Sequence, residues 1–225
     1  MMLKKLFSWC LLLGFYLSGL AQEESPKRTY VKTAGEIIFS AGVLEIQGAQ
    51  VDPVVRFSAF FQSQEQLHID ISKNIGIYTG IGSRNIGFIN RINDSIRIKQ
   101  RVYSIGIPLA LKIGNMRYGN FLAIGGEAEF FTQYKQKTFL NQRQNKVDKF
   151  SEWFSNRVNV FNPSVFAEYN FDGKRYIRLR YYLNDFLVSN KQSYRLSGGS
   201  AEIPFIAERS TLFYISFGTT LGKRR

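Results

Sequence analysis

The chain has 225 residues, with 30 Lys and Arg against 17 Asp and Glu, a single His, a single Cys and 15% aromatic residues. That length bounds one domain with a sizeable core, and a lone cysteine excludes an internal disulfide framework. A formal charge of +13 would direct attention to nucleic acid, but the first residues of the chain argue against it.

"MMLKKLFSWCLLLGFYLSGLAQEE" carries Lys4 and Lys5, an apolar run from Leu6 to Leu17, and then Ser18, Gly19, Leu20 and Ala21. A basic segment, a short apolar segment and a small-x-small site form a secretory signal peptide, so residues 1–21 are expected to be removed after Ala21. The apolar run is shorter than the roughly 20 residues of a spanning helix. Cys10 sits too early in it for a lipoprotein cleavage site. An exported chain makes nucleic acid an unexpected partner. Without Lys4 and Lys5 it carries +11 (13 minus 2).

Residues 22–35 are expected to be a flexible periplasmic segment, and a barrel is expected from 36 to 225. Strands are expected at 36–47, 54–72, 75–89, 98–113, 119–138, 158–171, 174–188 and 209–221. Each reaches the roughly 9 to 11 residues of a tilted membrane crossing. Lys73-Asn74, residues 114–118 and Asp172-Gly173 form short turns, the last a type I′ signal. Residues 90–97, 139–157 and 189–208 form longer polar loops. Short turns alternating with long loops are the pattern of an outer-membrane barrel, with both termini and the turns in the periplasm and the loops outside. The fold class expected is therefore all-β, an eight-stranded antiparallel up-and-down transmembrane β-barrel.

Each strand has two unlike faces. In "YIRLRYYLND" (176–185), Ile177, Leu179, Tyr181 and Leu183 share one parity, and Tyr176, Arg178, Arg180, Tyr182 and Asn184 the other. Strand five sets Leu122, Ile124, Ala128, Phe130 and Tyr134 against Glu127, Glu129, Gln133 and Lys135. Alternation alone suits a soluble sandwich equally well. The barrel is favoured by three features: Gly76, Gly80, Gly82, Gly106 and Ala110 lie on the polar parity, aromatics such as Tyr169 and Phe171 lie near strand ends, and opposite charges lie mid-strand. A lumen charge network is expected from Arg56, Asp70, Arg84, Glu127, Glu129, Glu168, Arg178 and Arg180. Buried charges must be paired, and the planar guanidinium fork can serve two carboxylates. An eight-stranded barrel is just wide enough to be filled by side chains.

The segments "YSIGIPLALKIG" (103–114), "SVFAEYNFDGKRYIRLRYYLNDF" (164–186) and "FGTTLGKRR" at the end resemble the small outer-membrane β-barrel proteins of Bacteroidetes-type bacteria, including the PorT-like group. The resemblance covers most of the mature chain, as a pattern of strands and turns. It implies an envelope protein, with a link to a secretion system in some members.

His68, Asp70 and Ser72 share one parity and are the only candidates for a hydrolytic set. No nucleophile elbow accompanies them, and no metal or cofactor is expected. The function expected is non-enzymatic, a structural or interaction barrel with a filled lumen and an accessory role in secretion as one form of it. A lipid- or peptide-hydrolysing barrel using His68 and Asp70 is the alternative, and a soluble lipocalin-like binder the third reading. Expected partners are outer-membrane lipids, including lipopolysaccharide, and envelope or secretion-system proteins. Arg91, Arg97, Lys99, Arg101, Lys135, Lys137, Arg143, Lys146, Lys149 and Arg157 are placed to meet lipopolysaccharide phosphates or to form a solvated loop surface.

Overall fold

The computed structural model describes residues 28–46, 48–51, 53–93, 95–140, 145–197 and 200–222. The expected signal peptide, residues 22–27 and Arg143 lie outside the described residues. β1 (Arg28–Ile46) is followed by three short pieces, β2 (Ala49–Val51), β3 (Pro53–Val54) and β4 (Arg56–Ser58). Then come β5 (Ser63–Asp70), β6 (Ile75–Arg91), β7 (Ile96–Asn115), β8 (Asn120–Leu140) and β9 (Asn145–Trp153). β10 (Ser164–Phe171) and β11 (Arg175–Tyr182) form a hairpin, β12 (Gln192–Tyr194) pairs with β13 (Ile203–Phe205), and β14 (Arg209–Leu221) returns to β1.

Eight of these strands close a ring, β1-β5-β6-β7-β8-β10-β11-β14 and back to β1, with every neighbour antiparallel. The closure leaves no sheet edge along the ring. The expected eight-stranded antiparallel barrel is the observed one. Residues 71–74, 116–119 and 172–174 turn the chain at one end, where the wall also starts and stops. Asp172 and Gly173 have φ of 50° and 67°, the left-handed pair that a type I′ turn requires.

Several expected boundaries move. The wall begins at Arg28, because Arg28–Gly35 pair with Asp70–Ser63. Residues 28–35, expected in a flexible leader, are therefore barrel. Tyr30, Lys32 and Ala34 point inward there and Val31 outward, an alternation hidden by its polar composition. The second strand is broken by residues 59–62, with Phe61 at a φ of 63°; β4 and β5 pair with β1 on either side of that bulge.

Between β6 and β7 the expected long loop is short: the Ile92 N–H donates to the Ile96 carbonyl at 2.9 Å, so the strands come together directly beyond Arg91. Residues 139–157, expected as loop, contain β9 paired to β8. β6 to β9 thus rise beyond the barrel as an extra sheet. A register shift opposite Tyr103/Ser104 leaves Thr132 without a partner in the β7–β8 ladder. Such a bulge reverses the parity of the residues after it. Beyond it Tyr134, Gln136 and Thr138 are buried, and Gln133 and Lys135 take the outer face, contrary to the alternation expected for strand five.

The interior is filled in three zones. Towards the turn end lies a cluster of Tyr78, Ala110, Met116, Phe121, Ala123 and Phe166. Towards the loop end lies a larger one that includes Ile38, Leu44, Ile86, Phe88, Phe131 and Leu212. Loop residues Val158, Phe186, Leu187 and Ala207 pack into this second cluster, so the loops fold over the mouth. Between the two clusters lies a layer of charge.

Candidate functional site

Arg178 and Arg180 stand on one face of β11, and both are buried, at 0% and 3% exposure. Arg178 donates to Glu168 from Nε at 2.8 Å and also from Nη2, to Glu36 from Nη1 at 3.2 Å, and to Gln64 from Nη2 at 3.1 Å. Arg180 donates to Glu127 at 2.7 Å and to Ser164 Oγ at 2.9 Å. Arg84, across the lumen on β6, donates from Nε to Glu36 at 3.2 Å, and from Nη1 to Glu129 at 3.0 Å and to Glu127. The hydroxyls of Ser216 and Tyr176 donate to Glu36, that of Ser104 to Glu129 and that of Tyr78 to Glu168.

Aromatic rings pack against the guanidiniums. Phe166 lies under both β11 arginines, 5.3 Å and 4.8 Å from their guanidinium carbons, and Tyr214 lies 5.6 Å from Arg180. Four carboxylates (Glu36, Glu127, Glu129 and Glu168) face three guanidiniums, a formal excess of one negative charge. One Glu129 oxygen, Arg84 Nη2 and the hydroxyls of Tyr182 and Tyr214 are buried without a hydrogen-bond partner.

Of the residues expected to line the lumen, six join this network: Arg84, Arg178, Arg180, Glu127, Glu129 and Glu168. Arg56 does not; it is buried higher up and donates to Asn85 at 2.6 Å and 3.1 Å. Nor does Asp70, which accepts from Lys112 at 2.6 Å near the turn end. Glu36, which bridges β6 and β11, is outside the expected set, although it shares inward parity with Lys32, Ala34 and Ser40. Lys112 carries the same signal through Ala110, Pro108 and Gly106.

Among the described residues, Lys112 stands between His68 and Asp70, and Ser72 is turned to the backbone. His68 stacks on Tyr30 at 5.0 Å, and its ring nitrogens meet Gln66 at 3.0 Å and Lys112 at 3.3 Å. β5 ends at Asp70, and Ser72, still buried, lies beyond its end. Ser72 lies in the turn and accepts from the backbone N–H of Asn74 and Ile75 at 3.2 Å and 3.1 Å. Its hydroxyl oxygen stabilises the turn.

The outside of the barrel is the reverse of the inside. Ile107, Leu109, Ile124 and Leu179 are 55%, 63%, 55% and 58% exposed. Exposed aromatics edge this apolar belt: Tyr118, Tyr169 and Phe171 at the turn end, and Phe57, Phe60, Phe61, Trp153 and Phe154 towards the loops. A ring of antiparallel strands with charges inside, aliphatics outside and aromatic margins defines the class of small outer-membrane-type β-barrels.

Comparisons with known proteins do not narrow this class to one member. No family model matches the chain, and no curated protein matches it. Among solved structures it is similar to Ail of Yersinia pestis, crystallised with the heparin analogue sucrose octasulfate, at 10% identity and TM-score 0.40, covering 85% of this chain and 97% of that one. It is similar to Neisserial surface protein A at 8% identity and TM-score 0.37, covering 88% and 100%. It is similar to OprG of Pseudomonas aeruginosa at 12% and 0.34, covering 87% and 97%. The barrel assignment rests on the ring of paired strands and not on these similarities.

Proposed function

We propose that the protein is a non-enzymatic outer-membrane barrel whose lumen is plugged and whose work is done by its outer surface and loops. The observation that carries this reading is the inversion of burial. Arg84, Arg178 and Lys112 are at most 1% exposed, while Leu109 is 63% exposed. In water, each exposed aliphatic side chain forgoes about 1.5 to 3 kcal/mol of burial; in a bilayer that penalty vanishes. The tight turns and both ends of the wall face the periplasm, the loops face outward, and the leader 1–21 is cut after Ala21. A lipocalin-like carrier needs an apolar cavity, and here that space holds charged and aromatic side chains.

The test is fractionation and conductance. The protein should sediment with outer membranes, resist carbonate extraction and migrate faster in unheated gels. Reconstituted in planar bilayers it should give no stable ohmic steps, because two packed clusters and an ion-paired layer block the lumen. Recovery from the soluble periplasm would overturn the membrane assignment, and steady conductance would overturn the plug. An accessory role in secretion rests on the resemblance alone, and co-purification of the tagged barrel from envelopes tests it.

A further inference from the structure

Beyond the apolar belt, β6 to β9 continue as a sheet whose inner face is buried through Gln100, Gln136 and Thr138. The outer face is a ladder of like charge. Lys99 pairs with Lys137, and Lys137 pairs with Lys149, so three lysines stand side by side across three strands. One row nearer the belt, Arg101 pairs with Lys135. The next row is Tyr103, Gln133 and Trp153, where the aromatic margin begins. Arg101 and Lys135 both lie over the Tyr103 ring, at 5.7 Å and 4.8 Å.

Facing side chains on paired strands are about 5 Å apart, and successive rows on one face about 7 Å apart. Like charges set opposite each other destabilise a sheet. Among the described residues, none of these five cations has a carboxylate within ion-pair distance. The Lys99 ammonium is held below its ordinary range by partial burial first and then by Arg56, Arg101 and Lys137. Lys137 is lowered in the same way, by partial burial and then by Arg101 and Lys146. A surface built only to be wetted would intersperse both signs. Clustered phosphates would turn each of these repulsions into an attraction. The rows also lie one and two steps beyond the aromatic margin, which is the depth of lipid headgroups.

We propose that the Lys99–Lys137–Lys149 row and the Arg101–Lys135 row form a binding site for the clustered phosphate groups of a membrane-borne glycolipid. This deepens the outer-membrane reading and rests on it. Lysine acts on phosphate as a compact point charge, so the site binds by charge density and weakens as salt rises.

The experiment uses the full mature chain inserted in phosphatidylcholine vesicles, with and without a bis-phosphorylated disaccharide lipid, and reads the temperature at which the fast-migrating folded band is lost. The phosphorylated glycolipid should raise that temperature by several degrees, and its dephosphorylated form should not. The variant Lys99→Gln/Lys137→Gln/Lys149→Gln should lose at least two thirds of the rise, yet without glycolipid be no less stable than wild type. The corresponding Lys→Arg triple variant and the loop variant Lys191→Gln should keep the full rise. Should the Gln triple variant fail to insert, the exposed single change Lys149→Gln carries the test and should reduce the rise. An undiminished rise in the Gln variants overturns the site, as does an equal response to the dephosphorylated lipid. An equal response to soluble inositol hexakisphosphate overturns the assignment to a membrane-borne ligand. If wild type inserts without responding, this site alone falls; if it does not insert, the outer-membrane reading falls with it.

Discussion

Replacing Arg178 with Leu tests the charge layer most directly. Glu36 would keep Arg84 and Ser216 as partners, at 3.2 Å and 2.7 Å. Glu168 would keep only neutral donors, Asn170 at 2.6 Å and Tyr78 at 3.4 Å. The variant therefore strands one buried carboxylate without a cation, at a cost of roughly 3 to 5 kcal/mol, against about 0 to 1 kcal/mol for an exposed pair. Removing both partners, Arg178→Leu with Glu168→Leu, takes the stranded charge away and should recover about 2 kcal/mol or more of that loss. On the opposite face of β11, Leu179→Arg should cost about 2 to 4 kcal/mol near the bilayer midplane. Urea unfolding in lipid vesicles measures all three. The reporter is Trp153, the one tryptophan in a chain that starts at Gln22 and a residue of the aromatic margin. An Arg178→Leu change of less than about 1 kcal/mol would refute the reasoning. So would a double variant no more stable than the single one.

Gly106→Ala should destabilise the same layer, because a Cβ there would overlap the Glu127 carboxylate; unfolding midpoints compare it with Ala110→Gly on the same face. Cysteines introduced at Lys146 and Ser197 should react with an impermeant maleimide on intact cells, and cysteines at Asn74 and Asp172 only after lysis; the inverse pattern would reverse the orientation. In the loop between β11 and β14, Glu202 accepts from Ser193, Arg195 and Arg157. The Ser193 and Arg195 hydrogen bonds and the nearby guanidiniums hold its carboxyl below the ordinary glutamate value of 4.5. A depressed folded-state value means the contribution is complete above pH 4.5 and is lost as pH falls through the lower folded value. Protease cleavage within 195–206 should therefore rise on acidification below pH 4.5, and Glu202→Gln should cleave readily at every pH. Cleavage unchanged down to about pH 3, well below the usual carboxylate range, would count against the clamp.

The lumen is legible in the sequence where the period of two runs unbroken. Tyr176 to Tyr182 alternate without interruption, and two arginines on one parity have no place on a lipid face, so the facing of Arg178 and Arg180 can be read directly. Legibility ends where the backbone departs from that period. Thr132 leaves no compositional mark, yet it moves Tyr134 from the expected outer face to the core. Glu36 is the first residue of the expected strand, and its inward parity with Lys32 and Ala34 is missed because the polar stretch before it reads as a leader, although in a barrel a polar inner face is what a strand should have. Arg56 and Asp70 have the right parity but the wrong height. Strand tilt sets height, and one strand's sequence does not contain its neighbour's stagger. β9 is masked by its charges, which belong to a sheet standing clear of the lipid.

Glu36 lies on the first strand of the ring, Arg84 on the third and Arg178 on the seventh, so one carboxylate spans the seam where the barrel closes. Its contact with Arg178 crosses the β14–β1 pairing and so depends on a closed ring. A β11 displaced by one residue would turn both arginines to the lipid and bring Ile177 and Leu179 among four carboxylates. A displacement of two would keep the faces but set Arg180 opposite Glu168, leaving Ser164 without its cation and Glu127 with Arg84 alone. The charge layer thus acts as proofreading for assembly. Only the correct closure gives Glu36, Glu127 and Glu168 all of their guanidinium partners, and a misregistered barrel is penalised in the interior, where neither lipid nor loop movement can relieve the error.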